Sequence, residues 1–493
     1  MVHDSPQGER SGLAEVLTQA WPASLTMLTP TITRFIDGVM VSHMGAQIGT
    51  DSLAAQSVSG ILAFVPESFA MGVLTVVNTY VSQNLGAGRM RRCGQYVWAG
   101  LVLAVLGAVM IASTALLAGP LFAQMPHTPE VRRLEVIYFR YMVIGAFFSL
   151  PSRVVEQFFF GIHRPYVVFY ASLVANGVNI LGNYVLIYGK WGFPEMGLEG
   201  AAIASVLSWG IQLALLLYVF VSPGLHKRFA TRFYQLLRWK HIRQILSIGY
   251  ASGVQFCNDI LSWSLFITYL VGQFGTAHLA ASTIGMRYMS ISFMPAVGIN
   301  IATTAIVGKY IGMGRPDLAR RRAHTALATA MVYMGICALA FLALGEPLVR
   351  AFVVQTGEAP ALVEEIVRIG RLVLICAAVF QIFDALGIVY VGALRGAGDT
   401  RWPMVVTFIL SWGLIIGGGW LAVKYFPDLT SIGPWIAASA YVIVLGLLLA
   451  WRFESGAWEK IDLLGRGKVS ATPPPLPPAE GLPQAVPTPK PKE

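Results

Sequence analysis

The stretch Thr31-Ile-Thr-Arg-Phe-Ile-Asp-Gly-Val-Met-Val41 lies inside the first long apolar segment of the chain, which covers about residues 21–44. It carries two full charges, Arg34 and Asp37. A charged side chain at the centre of a bilayer costs roughly 2.5–3.5 kcal/mol on insertion scales, so such a residue usually faces a cavity or a partner group. The stretch therefore predicts a membrane helix with a functional carboxylate at Asp37.

Apolar segments of similar length recur along almost the whole chain. Of its 493 residues, 55% are hydrophobic and 12% are charged, whereas a soluble domain has about 25% charged residues. In a bilayer every backbone N–H and C=O group must be hydrogen-bonded within the protein, so only α-helices and closed β-barrels can span it. Runs of about 20 apolar residues have the length of a spanning helix. We predict an all-α membrane protein with twelve transmembrane helices, at residues 15–43, 52–84, 94–119, 135–161, 166–189, 199–222, 241–272, 278–312, 320–345, 362–393, 402–424 and 432–453.

Lysine and arginine residues are concentrated in the loops after spans 2, 4, 6, 8 and 10. The positive-inside rule predicts that these loops and both termini are cytoplasmic. The net charge of +10 is explained by topology, and we expect no nucleic-acid partner. The predicted division is a cytoplasmic N-terminus (1–14), an N-lobe (15–222), a cytoplasmic linker (223–240), a C-lobe (241–453) and a Pro-rich disordered cytoplasmic tail (454–493).

The two halves of the chain resemble each other when the sequence is shifted by 226 residues. Each half holds six predicted spans, an even number, so the repeats have the same orientation in the membrane. Such repeats are related by a pseudo-two-fold axis along the membrane normal. We predict two six-helix bundles around a central cavity, which is a transporter architecture. The matched pairs are Leu53 and Leu279, Gly72 and Gly298, Gly86 and Gly312, and Arg89 and Arg315.

Short motifs in a fixed order carry a family resemblance over residues 15–453. They are Phe35-Ile-Asp-Gly-Val-Met40, Asn84-Leu-Gly-Ala-Gly-Arg89, Asn179-Ile-Leu-Gly-Asn183, Gly197-Leu-Glu-Gly-Ala-Ala202 and Gly392-Ala-Leu-Arg-Gly-Ala-Gly-Asp-Thr-Arg401. With them the chain resembles the multidrug and toxic compound extrusion (MATE) family, NorM-type bacterial branch.

The resemblance implies a secondary active antiporter in the inner (cytoplasmic) membrane. It would export organic, often cationic, compounds in exchange for Na⁺ or H⁺ by a rocking motion of the two lobes. Its partners would be small-molecule organic substrates and the lipid bilayer. We expect a monomer without enzymatic activity or a cofactor. The absence of a Walker A pattern agrees with transport that does not use ATP.

Asp37 is the first candidate for cation coupling. The resemblance implies that Asn179, Asn183 and Ser205 complete an N-lobe site with it, and that Asp37, Asn179 and Asn183 could hold Na⁺. The two asparagines are four residues apart and therefore share a helix face. A local alternative stays open, because Arg34 lies three residues before Asp37 and could neutralise it as a structural ion pair.

The C-lobe contains two further candidate carboxylates. Asp384 in span 10 matches the second-lobe carboxylate of the family. Asp259 in span 7 lies one residue from the position where NorM-type members carry a glutamate, so it either replaces that acid or makes a polar helix contact. The counterpart of Asp37 under the shift is Trp263, so the lobes share a fold but differ in chemistry.

Several other charges are embedded in apolar segments: Glu67, Arg153, Glu156 and Arg287. Arg153 and Glu156 are three residues apart, and we predict that they pair with each other. In the alternative, opposed charges across the cavity gate it or contact the substrate. Arg395, Asp399 and Arg401 are predicted to lie in a cytoplasmic loop, either as a network that stabilises one transport state or as charges that only set the topology.

A flippase of lipid-linked sugars, from the same superfamily, is the alternative function. A flippase needs a strongly cationic cavity for pyrophosphate. The embedded acids and arginines are similar in number, which favours the antiporter.

Overall fold

The computed structural model describes residues 12–42, 46–233, 238–353 and 360–465. These residues form helices, turns and loops, with no β-strand among them. Twelve long helices follow one another in chain order. They are α1 Gly12–Ser42, α2 Ala46–Gly86, α3 Met90–Ser113, α4 Pro129–Gly161, α5 Pro165–Ile187, α6 Gly197–Phe220, α7 Trp239–Leu265, α8 Thr276–Gly312, α9 Pro316–Val353, α10 Pro360–Ala397, α11 Arg401–Tyr425 and α12 Ile432–Glu454.

Helices α2–α12 provide eleven candidate membrane spans by their length and composition. Helix α1 is the twelfth long helix, with 31 residues that include Pro22 and Pro30. The predicted fold class is confirmed, since each predicted span corresponds to one long helix. The predicted ends differ most in α9, which continues to Val353 and not to residue 345.

Two helices of the C-lobe (α7–α12) contain a wider π-helical turn. One π-turn, Phe266–Val271, comes directly after the last residue of α7. The other, Ser411–Gly418, lies inside α11. The two wide turns contact each other. π-turns interrupt the regular i→i−4 ladder and often occur at functional sites. They give the C-lobe a local geometry that α1 and α5 of the N-lobe (α1–α6), their repeat counterparts, do not have.

The first helix of each lobe begins in the core of the other lobe. Val16 and Ala20, near the start of α1, are buried among residues of α8, α9, α10 and α12. Ile242 and Ile245, near the start of α7, are buried in the N-lobe core. This exchange joins the lobes at the end of the molecule where α1 begins and α12 ends, which we call the terminal end.

Helices α2 and α8, which are repeat counterparts, cross closely at the terminal end. A Cβ atom at Gly86 would overlap the carbonyl oxygen of Lys309, and one at Gly312 would overlap that of Gln83. Because glycine has no Cβ, the two backbones can meet here. The matched glycines of the repeat thus form the tightest part of the lobe interface.

A half-buried carboxylate adds an ionic contact to this interface. Glu15 of α1 accepts hydrogen bonds from Lys309 Nζ at 3.1 Å, Tyr310 Oη at 2.8 Å and Arg322 Nε at 2.8 Å. The three donors belong to α8 and α9, so the contact crosses between lobes. We call these four residues the Glu15 cluster.

The predicted linker and tail are described in part. The linker contains a short helix, Pro223–Phe229, and residues 234–237 lie outside the described structure. After α12 the chain forms a 3₁₀ turn, Ala457–Lys460, whose Trp458 side chain is buried. The rest of the predicted tail, residues 466–493, lies outside the described residues, as do residues 1–11.

Candidate functional site

The structure brings the four predicted N-lobe residues into one hydrogen-bonded chain. Asn183 Nδ2 of α5 donates to Asp37 Oδ1 of α1 at 2.5 Å and to Asn179 Oδ1 at 3.3 Å. Asn179 Nδ2 in turn donates to Ser205 Oγ of α6 at 3.3 Å. Helices α1, α5 and α6 therefore meet at a continuous chain of polar side chains.

This polar chain is buried, and its oxygens are of the kind that hard cations prefer. Asp37 is 9% exposed and Asn183 is fully buried. Asn183 Oδ1 accepts no hydrogen bond from any described residue. Carboxylate, amide and hydroxyl oxygens are ligands for hard cations, and a carboxyl group in such surroundings can alternatively hold a proton. The Arg34 side chain lies outside the described part of the structure, so its pairing with Asp37 stays a prediction.

Further polar contacts tie α1 to α5 around Asp37. Thr33 Oγ1 donates to Asn176 Oδ1 at 3.0 Å, and Tyr188 Oη donates to the carbonyl of Met40 at 2.7 Å. Sequence reasoning did not single out these residues. Asn176 lies three residues before Asn179, on the same face of α5, which is the signal that could have found it.

The two predicted carboxylates of the C-lobe also lie near each other. Asp259 of α7 and Asp384 of α10 are close enough for their negative charges to repel each other. The positive guanidinium of Arg395 attracts the carboxylate of Asp259. The hydroxyl of Tyr441, on α12, lies near both acids. The C-lobe thus holds a cluster of two acids, one arginine and one tyrosine, unlike the amide-rich N-lobe site.

The predicted loop position of Arg395 is wrong. Helix α10 continues to Ala397, and Arg395 is only 7% exposed. Its Nη1 donates to Asn300 Oδ1 at 3.3 Å, and its guanidinium lies over the Phe256 ring with the centroid at 5.8 Å. The glycines of Gly392-Ala-Leu-Arg-Gly-Ala397 let α10 approach the backbone of α8 closely, and the segment is helical and buried there.

The predicted pairing of Arg153 and Glu156 is confirmed, with Arg153 Nη1 at 3.0 Å from Glu156 Oε2. Glu156 Oε1 also accepts from Gln212 Nε2 at 2.9 Å. Glu67 accepts from the hydroxyl of Ser149. Arg287 lies over the Phe352 ring, 5.4 Å from its centroid. Most of the embedded charges therefore have partners within their own lobe.

Groups of three or more His, Cys, Asp or Glu side chains suited to a metal ion do not occur among the described residues.

A cavity lies between the lobes, and Arg395 of the C-lobe cluster is part of its wall. It is bounded by residues of α1, α2 and α4 on one side and of α7, α8 and α10 on the other. Its lining residues are Met27, Met71, Thr75, Asn78, Arg153, Gln157, Phe256, Val297, Asn300, Ile301, Thr304 and Arg395.

Twelve long apolar helices in two repeated lobes, with a cavity between them and buried acids in each, define a two-lobe multi-pass membrane protein. The chain belongs to the MatE family, whose model matches residues 22–185 and 257–421. The resemblance predicted from the motifs is thereby confirmed.

The chain is similar to proteins named probable multidrug resistance protein NorM. The one from Thermotoga maritima is 27% identical over 92% of this chain and 95% of its own length. The one from Xylella fastidiosa is 30% identical over 90% of this chain and 92% of its own length.

Solved structures share the fold. A MOP superfamily transporter from Pyrococcus furiosus superposes with a TM-score of 0.82 and 19% identity, over 91% of this chain and 97% of its own. An outward-facing MATE family transporter of the MOP superfamily gives the same TM-score, identity and coverage.

Proposed function

We propose that the protein is a secondary active multidrug efflux antiporter of the cytoplasmic membrane. It acts as a monomer with both termini in the cytoplasm, and exports organic, often cationic, compounds in exchange for Na⁺ or H⁺. The observation that carries the proposal is the buried chain Asp37–Asn183–Asn179–Ser205. The names of the relatives support the substrate class.

Coupling in the N-lobe rests on the charge of Asp37. When a proton or Na⁺ binds there, the negative charge on α1 is neutralised and the donor–acceptor pattern with Asn183 changes. The contacts of Thr33 and Tyr188 transmit this change to the packing of α1 on α5. In the C-lobe, the mutual repulsion of Asp259 and Asp384 favours uptake of a cation or a cationic substrate.

Alternating access requires the lobes to separate at the terminal end. There the Glu15 cluster and the glycine contact of α2 with α8 hold them together. With the termini in the cytoplasm, this arrangement is the form that is closed to the cytoplasm. Export then proceeds by opening the terminal end to load substrate and closing it to release substrate outside.

The test is transport in proteoliposomes with Na⁺ and H⁺ gradients imposed separately. Wild-type protein should move an organic cation under at least one gradient. Asp37→Asn should reduce this gradient-driven movement at least tenfold, because an amide cannot exchange a proton or balance a cation. Asp428→Asn, in the exposed turn Pro427–Leu429, should leave it unchanged. Equal transport by Asp37→Asn and the wild type would refute the coupling role.

A further inference from the structure

The cavity between the lobes carries two arginines on opposite walls. Arg153 belongs to α4 of the N-lobe and Arg395 to α10 of the C-lobe, and both line the cavity. The cavity volume is about 90 Å³, which suits one group of a ligand, such as a carboxylate, and is below the roughly 300–1,000 Å³ of a site that encloses a whole drug-sized molecule.

Both guanidinium groups, and not only the alkyl chains, lie at the cavity wall. Arg153 Nη2 is 3.9 Å from the sulfur of Met71, and the Arg395 guanidinium contacts Asn300 and Phe256. Met71, Asn300 and Phe256 are themselves lining residues. The Arg153 side chain is a quarter exposed, and it is one of the residues that line the cavity.

The acids whose negative charges balance these arginines lie outside the cavity wall. Glu156 pairs with Arg153 from the same helix, and Asp259 acts on Arg395. Neither acid is among the lining residues, and no aspartate or glutamate of the described residues lines this cavity. Among the described residues, Arg395 donates one side-chain hydrogen bond, to Asn300, although a guanidinium has five N–H donors. The cavity wall therefore presents cationic donors and no anionic acceptor.

We propose that this cavity is a subsite for the carboxylate of an organic substrate, held between Arg153 of the N-lobe and Arg395 of the C-lobe. Guanidinium groups match carboxylates with two parallel hydrogen bonds, and such pairs are strong where water is excluded. The inference deepens the proposed export function and rests on it. The substrates then include zwitterions and organic anions in addition to cations.

The position of the subsite links anion binding to conformation. Its two arginines come from different lobes, so the pair is assembled only while the lobes are together at the terminal end. A bound carboxylate therefore favours this closed form, because a ligand shifts an equilibrium toward the state that it binds better.

The test is equilibrium binding to the full-length protein in detergent, with no ion gradient, so that it can succeed even if transport fails. The probes are rhodamine 110, which has a free carboxylate, and rhodamine 123, its methyl ester. In fluorescence polarisation, Arg153→Gln and Arg395→Gln should each weaken binding of rhodamine 110 at least tenfold and change binding of rhodamine 123 less than twofold. Arg153→Lys should restore part of the loss. Arg368→Gln, an exposed arginine on α10, should bind both dyes as the wild type does.

Equal losses for both dyes, or no loss for rhodamine 110, would overturn the proposal. A second measurement on the wild type avoids variants that fail to fold. Benzoate should displace rhodamine 110 at a concentration at least tenfold below that of benzamide, which has a similar shape but no charge. Equal displacement by the two compounds would also overturn it.

Discussion

Asp37 is surrounded by side chains that come from two other helices. Asn183 donates a hydrogen bond to its carboxylate and a second one to Asn179, and Asn179 donates to Ser205. A charged group in a lobe of this hydropathy is tolerated because its hydrogen-bonding capacity is met locally. The function proposed for Asp37 therefore depends on residues that do not themselves change charge.

Asn183→Ala should weaken coupling without removing the carboxylate. Loss of a supporting polar partner typically costs 10–100-fold in ion affinity. We expect the driving-ion concentration for half-maximal transport to rise at least tenfold, while the maximal rate changes little. The ion dependence of transport in proteoliposomes measures this. Ser113→Ala, near the end of α3 and bonded only to its own helix, is the matched control, and an unchanged ion dependence for Asn183→Ala would contradict the prediction.

His163, in the short loop between α4 and α5, should make the protein sensitive to acid. Desolvation by burial, with a smaller effect from nearby Lys309, lowers its pKa to about 3. In the unfolded chain a histidine has a pKa of about 6.5, so below that value protons bind the unfolded state preferentially. Stability is therefore complete above about pH 6.5 and falls as the pH drops toward 3, by up to ~1.4 kcal/mol per pH unit.

His163→Asn tests this effect. Asparagine tolerates the positive φ of 59° at this position and does not titrate. Thermal unfolding between pH 7.5 and 5 should show a smaller fall in Tm for the variant than for the wild type. Parallel curves for the two proteins would show that His163 does not contribute.

At the scale of elements, the crossing of α2 and α8 depends on the absence of side chains. Gly86 and Gly312 allow each backbone to reach a carbonyl of the other helix. The repeat aligns these two glycines with each other, so the same position in each lobe allows the close contact between the helices. A side chain at either position must force the helices apart.

Gly312→Val should open the terminal end. A Cβ atom would meet the backbone of Gln83, which cannot move aside as a flexible side chain could. Spin labels at Arg89→Cys and Arg315→Cys, in the repeat-related loops of the two lobes, should report a longer distance in this variant. Gly335→Val on α9, where no atom lies within 4 Å of an added Cβ, controls for valine in a helix. The same label distance in all three proteins would exclude a role of the glycine contact in closure.

At the scale of the whole molecule, the lobes are joined by exchange of their first helices. The start of α1 lies in the C-lobe core and the start of α7 in the N-lobe core. The Glu15 cluster fixes the first of these contacts with three charged or hydroxyl donors. Opening the terminal end must break that cluster, so its strength helps set the balance between the two transport states.

Glu15→Gln should shift this balance toward the open terminal end. Hydrogen bonds to charged groups contribute about 1.5–3 kcal/mol each, and loss of about 2 kcal/mol corresponds to a roughly 30-fold change in an equilibrium constant. The same spin-label pair should show a new population with a longer distance. Glu195→Gln, in the exposed loop between α5 and α6, should leave the distribution unchanged. An unaltered distribution in Glu15→Gln would show that the cluster does not hold the closed form.

The sequence by itself determined the twelve helices, their repeat and the family, because hydropathy and short motifs are local properties of the chain. The family positions also pointed to Asp37, Asn179, Asn183 and Ser205 as one candidate site, and the structure joins these residues by hydrogen bonds. Only the tertiary structure decided that Arg395 is buried, since small residues let α10 continue against α8 beyond its predicted end. It also decided that Arg153 and Arg395 share one cavity and that each lobe begins in the other. Those facts depend on which faces of distant helices meet, and this packing is settled by contacts between residues far apart in the chain.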